Sequence, residues 1–339
     1  MSKVLCFGEL LLRLSPGEDW LVGNTMPAFV GGAEANVATA LAMWEQPVGY
    51  CTALPDNFLS KQLSDYLSQK KIDTSSVHYS GDRIGLYYLQ QGTDAKHSGV
   101  IYDRANSSFA RLKKGMIDWD KALDGINWFH LSAIAASLTQ SAADVCEEAL
   151  QAAQKKGITI SLDLNYRNKL WQYGKTPVEI IPNLAQYCDL VMGNIWAANT
   201  MLGTPLHQNL IGRDNKDDYL DHARETSHNI LAQFPNVKSV ANTFRFDMGK
   251  GIQYYTTMYK DQLYVSHEYS AEVTVDKVGS GDCFMAGLIY GHSNNYNTQE
   301  ILDFATAAAF NKLFIKGDTT TQSVAEIKAS ISNGQATTN

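Results

Sequence analysis

The thirteen residues from Asp276 to Leu288, DKVGSGDCFMAGL, bring together an Asp, two glycines flanking a serine, a second Asp and an apolar helical run. Gly279, Ser280 and Gly281 are small enough for successive backbone N–H groups to converge on one concavity where a helix begins. Unpaired donors and the helix dipole at such a place favour an anion. Asp282 falls at the rim of that concavity, where its carboxylate could take a proton from a hydroxyl while the amides hold the charge on a transferring phosphoryl group. The pattern suggests phosphoryl transfer. The same residues also suit a plain capped turn, with Asp282 closing the helix N-terminus, so the rest of the chain has to decide.

At 339 residues, 45% hydrophobic and 19% charged, the composition is that of a globular chain able to bury a large core. A formal net charge of −7 without a basic run argues against nucleic acid or an anionic membrane as partner, so any anionic ligand needs a local site. The cysteines, Cys6, Cys51, Cys146, Cys188 and Cys283, form no CxxC and are odd in number, which points to neither a disulfide framework nor a zinc site. The opening MSKVLCFGELLLRLS is too short and too polar for a signal peptide or a membrane span. A cytoplasmic location is expected.

Strand and helix signals alternate along the chain. Lys3 to Gly8, Phe129 to Ala133, Ile158 to Leu164, Cys188 to Met192 and Val237 to Thr243 read as strands. Glu34 to Trp44, Ala142 to Lys156, Trp196 to Leu202 and Asp217 to Phe234 read as helices. Strands joined by crossover helices imply an α/β protein with a mostly parallel sheet covered on both faces, and ligands on such sheets gather at the carboxyl ends of the strands. Two stretches, about 9–30 and 83–104, look like strands and turns without helices, the second a hairpin around Gly92 to Gly99. Together they would make a small antiparallel flap, able to act as a lid that excludes water or to pair with a second copy of the chain.

Two segments carry a family resemblance. GGAEAN, Gly31 to Asn36, resembles the N-terminal diglycine signature of the ribokinase-like (PfkB) carbohydrate kinases, and DKVGSGDCFMAG resembles their C-terminal signature. The resemblance covers nearly the whole chain. It implies a three-layer α/β/α sandwich with a small β-sheet lid, one kinase domain over residues 1–333 followed by a polar tail at 334–339, ATP as phosphoryl donor and Mg²⁺ as its counter-ion. On that basis Asp282 is the catalytic base, Gly279, Ser280 and Gly281 form the anion hole, and Gly31, Gly32 and Asn36 belong to the sugar site and its hinge. The exposed face of the flap separately points to a homodimer or higher homo-oligomer through the lid.

Within that family the chain is most similar to 2-keto-3-deoxygluconate kinases, through GLYYLQQG with IYDR and through DLNYRNKLW. A sugar acid needs a cation where a neutral sugar needs only hydroxyl partners, and the resemblance puts Arg104 and Arg167 near the substrate carboxylate. Both could equally be solvated surface arginines. Tyr87 and Tyr102 could offer hydroxyls or stacking faces, or simply pack. The resemblance further places Asn194, Arg245, Asp276, Asn311 and Gly317 on the nucleotide side, although Arg245 could be a surface residue beside Asp247, Asp276 could simply end a strand and Asn311 could be helix surface; no protein ligand is assigned to the metal. The expected reaction is transfer of the ATP γ-phosphoryl group to the terminal hydroxyl of 2-keto-3-deoxygluconate, with a fructokinase-type neutral-sugar kinase or a non-catalytic sugar-binding regulator as alternatives. Two departures stand out. Ala197 occupies the place of the glutamate in the family's NxxE pattern, and VANTFRFDMGKG replaces the usual Lys- and Gly-rich nucleotide segment.

Overall fold

The runs VLCF, VGYCTAL, WFHLS and LVMG are buried at every position, as befits strands covered on both sides. The computed structural model describes residues 3–91, 99–207, 210, 215–249 and 251–333. In chain order the elements are β1 (Val4–Phe7), β2 (Leu11–Leu14), α1 (Trp20–Gly23), β3 (Ala28–Gly31), α2 (Ala33–Met43), β4 (Val48–Leu54), α3 (Phe58–Gln69), β5 (Val77–Tyr79), β6 (Gly85–Tyr88) and β7 (Ile101–Asp103). The middle of the chain runs α4 (Trp119–Ala122), β8 (Trp128–Ser132), α5 (Ala133–Ala136), α6 (Gln140–Lys155), β9 (Thr159–Asp163), α7 (Pro177–Ala185), β10 (Leu190–Gly193) and α8 (Ile195–Leu202). The last part holds α9 (Lys216–Gln233), β11 (Ser239–Met248), β12 (Gly251–Tyr259), β13 (Leu263–Val265), β14 (Tyr269–Ala271), α10 (Ser280–Ser293), α11 (Thr298–Lys312) and α12 (Val324–Asn333).

The large sheet has the order β13-β12-β11-β10-β9-β8-β1-β4-β5, with β14 also paired to β12. From β5 to β11 its strands are parallel, and β12 to β14 add an antiparallel edge. Side-chain alternation along β1 separates the two faces. Val4 and Cys6 point into a core shared with α2, α10 and α11, whereas Leu5 and Phe7 point into one shared with α6, α7 and α8. This is the three-layer α/β/α arrangement expected, with a separate small sheet of order β3-β2-β6-β7. No helix among the described residues is long and apolar enough to cross a membrane. All five cysteines are free and buried.

The structure differs from the sequence reading in three places. The flap is mixed, because β2 and β6 run parallel. The chain passes through α2, β4, α3 and β5 between them, and such a crossover returns the second strand in the same direction. A short helix, α1, also interrupts the 9–30 segment. The expected strand at Val237 to Thr243 continues to Met248 and folds back on β12 through a nine-pair antiparallel register, so the atypical nucleotide segment is the end of a hairpin. Residues 92–98 of the expected hairpin turn and the tail 334–339 lie outside the described residues.

Candidate active site

The site begins at the mouth of α10. Gly279 is its N-cap with φ 79°, and a Cβ there would lie 1.9 Å from the Asp318 carbonyl oxygen, so only glycine fits both the backbone twist and the close approach. The amides of Ser280, Gly281 and Asp282 start the helix without intrahelical acceptors. Ser280 turns its hydroxyl inward onto the Ala309 carbonyl at 2.9 Å. Gly281 faces open space, with nothing within 4 Å of where a Cβ would be. The loop therefore presents main-chain donors, not side chains, to that space.

Asp282 is 9% exposed, and its Oδ2 accepts from Asn36 Nδ2 at 2.7 Å. That bond joins the two signature segments, because α2 starts at Ala33, just after its N-cap Gly32, and carries Asn36 near its start. Gly32 has φ 128°, and a Cβ there would collide with the Glu9 carbonyl oxygen at 2.4 Å. Among the described residues no hydrogen bond reaches Asp282 Oδ1. Burial pushes the Asp282 carboxyl up to about 6, against the Asn36 hydrogen bond and the nearby positive charge of Arg167. A carboxylate of that pKa is mostly ionised at neutral pH and more basic than an exposed one, a stronger base than dipole proximity alone would leave.

A second network fixes the loop before the helix. Arg13, on lid strand β2, bridges Asp318 at 2.7 Å and Asp276 at 3.1 Å, and its guanidinium lies 4.2 Å from the centre of the Phe29 ring. Asp276 also accepts from the Val278 and Gly317 amides, at 3.0 and 3.1 Å. Gly317 lies in a bend at φ 97°, a left-handed backbone that favours glycine. Fully buried Lys312 donates to the Ile315 carbonyl at 2.9 Å and approaches the Asp276 carbonyl at 3.5 Å. Burial lowers its pKa, and the Asp276 and Asp318 charges oppose that. The small sheet, the loop before α10 and the segment after α11 are thus tied by buried charges.

On the proposed sugar side, Tyr87 donates to Asp318 at 3.2 Å and stands 6.2 Å from Tyr102, ring centre to ring centre. Gly31 closes the gap to Asp318, since a Cβ there would sit 3.0 Å from Asp318 Oδ2. Arg104 is no surface arginine. It is 6% exposed and ion-paired through Nε to Glu9, which is itself buried. Arg167 is half-buried, donates to its neighbour's Tyr166 carbonyl at 2.9 Å and acts on Asp282 through its charge. Glu34, inside GGAEAN, is buried, accepts from the Ser132 amide at 2.9 Å and is pushed up to about 8 by burial. It is therefore mostly protonated at neutral pH and adds little negative charge behind Asp282.

The nucleotide-side residues are more dispersed. Asn194 ends β10 and caps α8, its side chain accepting from the Ala197 amide at 2.8 Å. Arg245 lies on β11 opposite Tyr254, and two residues on, Asp247 pairs with Lys277 at 2.6 Å, so the hairpin end borders the loop before α10. Asn311 is 1% exposed and donates to Ser330 at 2.9 Å. It packs α11 against α12 instead of lying on the helix surface, which leaves its side chain inaccessible to a nucleotide. A cavity of about 240 Å³ opens between lid and loop, lined in part by Arg13, Phe29, Gln91, Asp276, Lys277 and Lys316. Asp282 does not line it, so it lies beside the proposed reacting centre.

The donor set suits polyphosphate better than a directly bound Mg²⁺. Asp276 is taken up by Arg13 and two amides, the Asn194 side chain already caps a helix, and Ala197 offers no oxygen. Sequence reasoning missed Arg13, Lys312 and Asp318. Arg13 and Asp318 are far apart in the chain from the residues they serve, and Lys312 stands in a helix whose other features are ordinary.

With this geometry in place, comparison with known proteins is informative. Residues 1–323 match the pfkB family of carbohydrate kinases. The chain is 26% identical over 338 residues to a 2-dehydro-3-deoxygalactonokinase of Haloferax volcanii, covering 99% of this chain and 98% of that protein. The crystal structure of a 2-dehydro-3-deoxygluconokinase from Thermotoga maritima is similar with a TM-score of 0.87 and 33% identity, covering 98% of this chain and all (100%) of that one. A PfkB family carbohydrate kinase from Listeria grayi matches with a TM-score of 0.84 and 29% identity, at coverages of 98% and 100%.

Proposed function

Because the chain belongs to the pfkB family of carbohydrate kinases, we propose that it phosphorylates the terminal hydroxyl of a 2-keto-3-deoxy sugar acid of the gluconate or galactonate type. The observation that carries this reading is the Asn36–Asp282 hydrogen bond at the mouth of α10 beside the open space over Gly281. It puts a base of raised pKa next to unpaired main-chain donors. The relatives named for deoxygluconate and deoxygalactonate differ in substrate stereochemistry, so the proposal stops at the class they share.

The substrate hydroxyl gives its proton to Asp282 as its oxygen attacks the γ-phosphorus of ATP. The bond from phosphorus to the β,γ-bridging oxygen breaks, and ADP leaves with that electron pair. The Ser280, Gly281 and Asp282 amides stabilise the charge on the transferring group, and Asn36 keeps Asp282 oriented and ionised. A loose transition state asks little of the base, so positioning and charge neutralisation supply most of the rate. Arg167 meets the substrate carboxylate. Arg104 shares its charge with Glu9, which leaves Arg167 the stronger anion receptor of the two. ATP brings its polyphosphate to the helix mouth, with Arg245 and the β11–β12 hairpin beside it. A Mg²⁺ ion brought with the nucleotide would be held by its oxygens and water and would neutralise phosphate charge.

We further propose one kinase domain through residue 333 and a dimer formed through the lid, where Leu21, Val22 and Ile101 are 70%, 88% and 62% exposed. The functional test is an ADP-release panel of ketodeoxygluconate, ketodeoxygalactonate, fructose and ribose with wild type and Arg167→Leu. The expected result is turnover on the acids alone, with KM for the acid raised at least about tenfold in the variant. Fructose as the best substrate, or equal losses on acid and ketose, would overturn the sugar-acid reading. No substrate-dependent ADP release at all would favour a sugar-binding regulator.

A further inference from the structure

Far along the chain from the kinase signatures, His207 in the α8–α9 connection meets His222 and Glu225 on α9. Glu225 Oε2 lies 3.2 Å from His207 Nε2 and 3.5 Å from His222 Nδ1, and one ligand atom from each residue falls within 4.8 Å of the others. For metal–ligand bonds of about 2.0–2.2 Å, tetrahedral ligands stand roughly 3.3–3.6 Å apart, so the 3.5 Å separation falls in that range and the 3.2 Å one lies just short of it. The two rings are also close, with centres 4.7 Å apart.

A second observation is independent of that spacing. His222 is 3% exposed, yet neither ring nitrogen makes a hydrogen bond of good geometry, although the Glu225 carboxylate and the Pro205 carbonyl lie near. A buried imidazole left in that state costs stability unless something takes its lone pair. The three residues line a cavity of about 160 Å³ together with Leu210, Asp218 and Asp221. His207 and Glu225 keep 55% and 40% of their side chains exposed, so an ion can enter and keep a water ligand.

We propose that His207, His222 and Glu225 form a binding site for a divalent transition metal of the Zn²⁺ type, tying the α8–α9 connection to α9. Two imidazoles and one carboxylate favour Zn²⁺ over Mg²⁺, which prefers an all-oxygen octahedron. Each ligand residue comes from α9 or the segment leading into it, so the site is separate from the phosphoryl-transfer residues.

The test is calorimetric titration of the chelator-treated, nucleotide-free protein with Zn²⁺, together with Co²⁺ absorption as a reporter of coordination. His207→Ala and Glu225→Gln are the main variants because both side chains are partly exposed and the fold should tolerate them. Circular dichroism checks this, and His222→Ala serves as a third, riskier variant. The expected result is one Zn²⁺ per chain at micromolar affinity or better, an intense tetrahedral Co²⁺ spectrum, and at least about tenfold weaker binding in each partly exposed variant. Absence of saturable binding, or the same stoichiometry and affinity in both variants, would overturn the site.

Discussion

Removing Asn36 should move the pH dependence of turnover upward. The 2.7 Å bond from Asn36 Nδ2 reaches the ionised oxygen of a buried carboxylate. A hydrogen bond to a charged group contributes about 1.5–3 kcal/mol, and about 1.4 kcal/mol corresponds to one pH unit. Asn36→Ala should therefore raise the Asp282 pKa from about 6 to roughly 7–8. The base works only when ionised, so activity is present above this pKa and is lost as pH falls through it. The acid limb of kcat/KM, near pH 6 in the wild type, should then move up by about one to two pH units. At pH 6.5 the variant should be slower by roughly three- to twenty-five-fold, with much of the deficit recovered at pH 9. A coupled ADP-release assay from pH 5 to 9 on the sugar acid reads this directly. Asn36 also borders the proposed sugar site, and a pure binding defect would lower the whole profile evenly. An even drop with the limb in place would refute the link between Asn36 and the base.

Lys312→Met should move the same limb upward by less, because Lys312 is the weakest of the three influences that keep Asp282 ionised, after the Asn36 hydrogen bond and the Arg167 charge; a shift larger than that of Asn36→Ala would contradict the ordering. Arg13→Leu leaves Asp276 and Asp318 facing each other without their shared cation, at a cost of about 3–5 kcal/mol in denaturant unfolding. A loss below about 1 kcal/mol would show that the latch is not needed. Gly279→Ala forces a Cβ against the Asp318 carbonyl at an unfavourable φ, and turnover should fall by on the order of a hundredfold with the circular dichroism spectrum kept. Near-normal turnover in that variant would mean that the loop has another geometry during reaction.

The strand–helix alternation was legible because the buried strands are mostly apolar and several helices carry side-chain caps, such as Thr139 accepting from the Ala142 amide and Asn297 from the Glu300 amide. The helix mouth was legible for a related reason. Gly279, Ser280, Gly281 and Asp282 are consecutive, so local backbone chemistry announces them. The lid was less so. Its strands β2 and β6 are 70 residues apart, and nothing local in either says whether they pair parallel or antiparallel. The same holds for Arg13, whose partners Asp276 and Asp318 lie 263 and 305 residues away. Arg104 looked like a carboxylate receptor or a surface residue, and the fold gave it Glu9, again a long-range pairing. The raised Asp282 pKa also escaped a local reading, since desolvation depends on what closes over the side chain.

Asp282→Asn tests the central claim most directly, through turnover on the sugar acid measured beside calorimetric ATP affinity. The variant keeps the shape of the site and removes the base. It also removes an awkward ionisation: the folded pKa of about 6 exceeds the ordinary 3.8, so stability falls as pH rises across that window, and the variant should melt higher than wild type at pH 7. The account expects kcat to drop by about a hundredfold to ten-thousandfold, with ATP binding within about threefold of wild type. Turnover retained within about tenfold, with ATP still bound, would remove Asp282 from the reaction and with it the mechanism proposed for this chain.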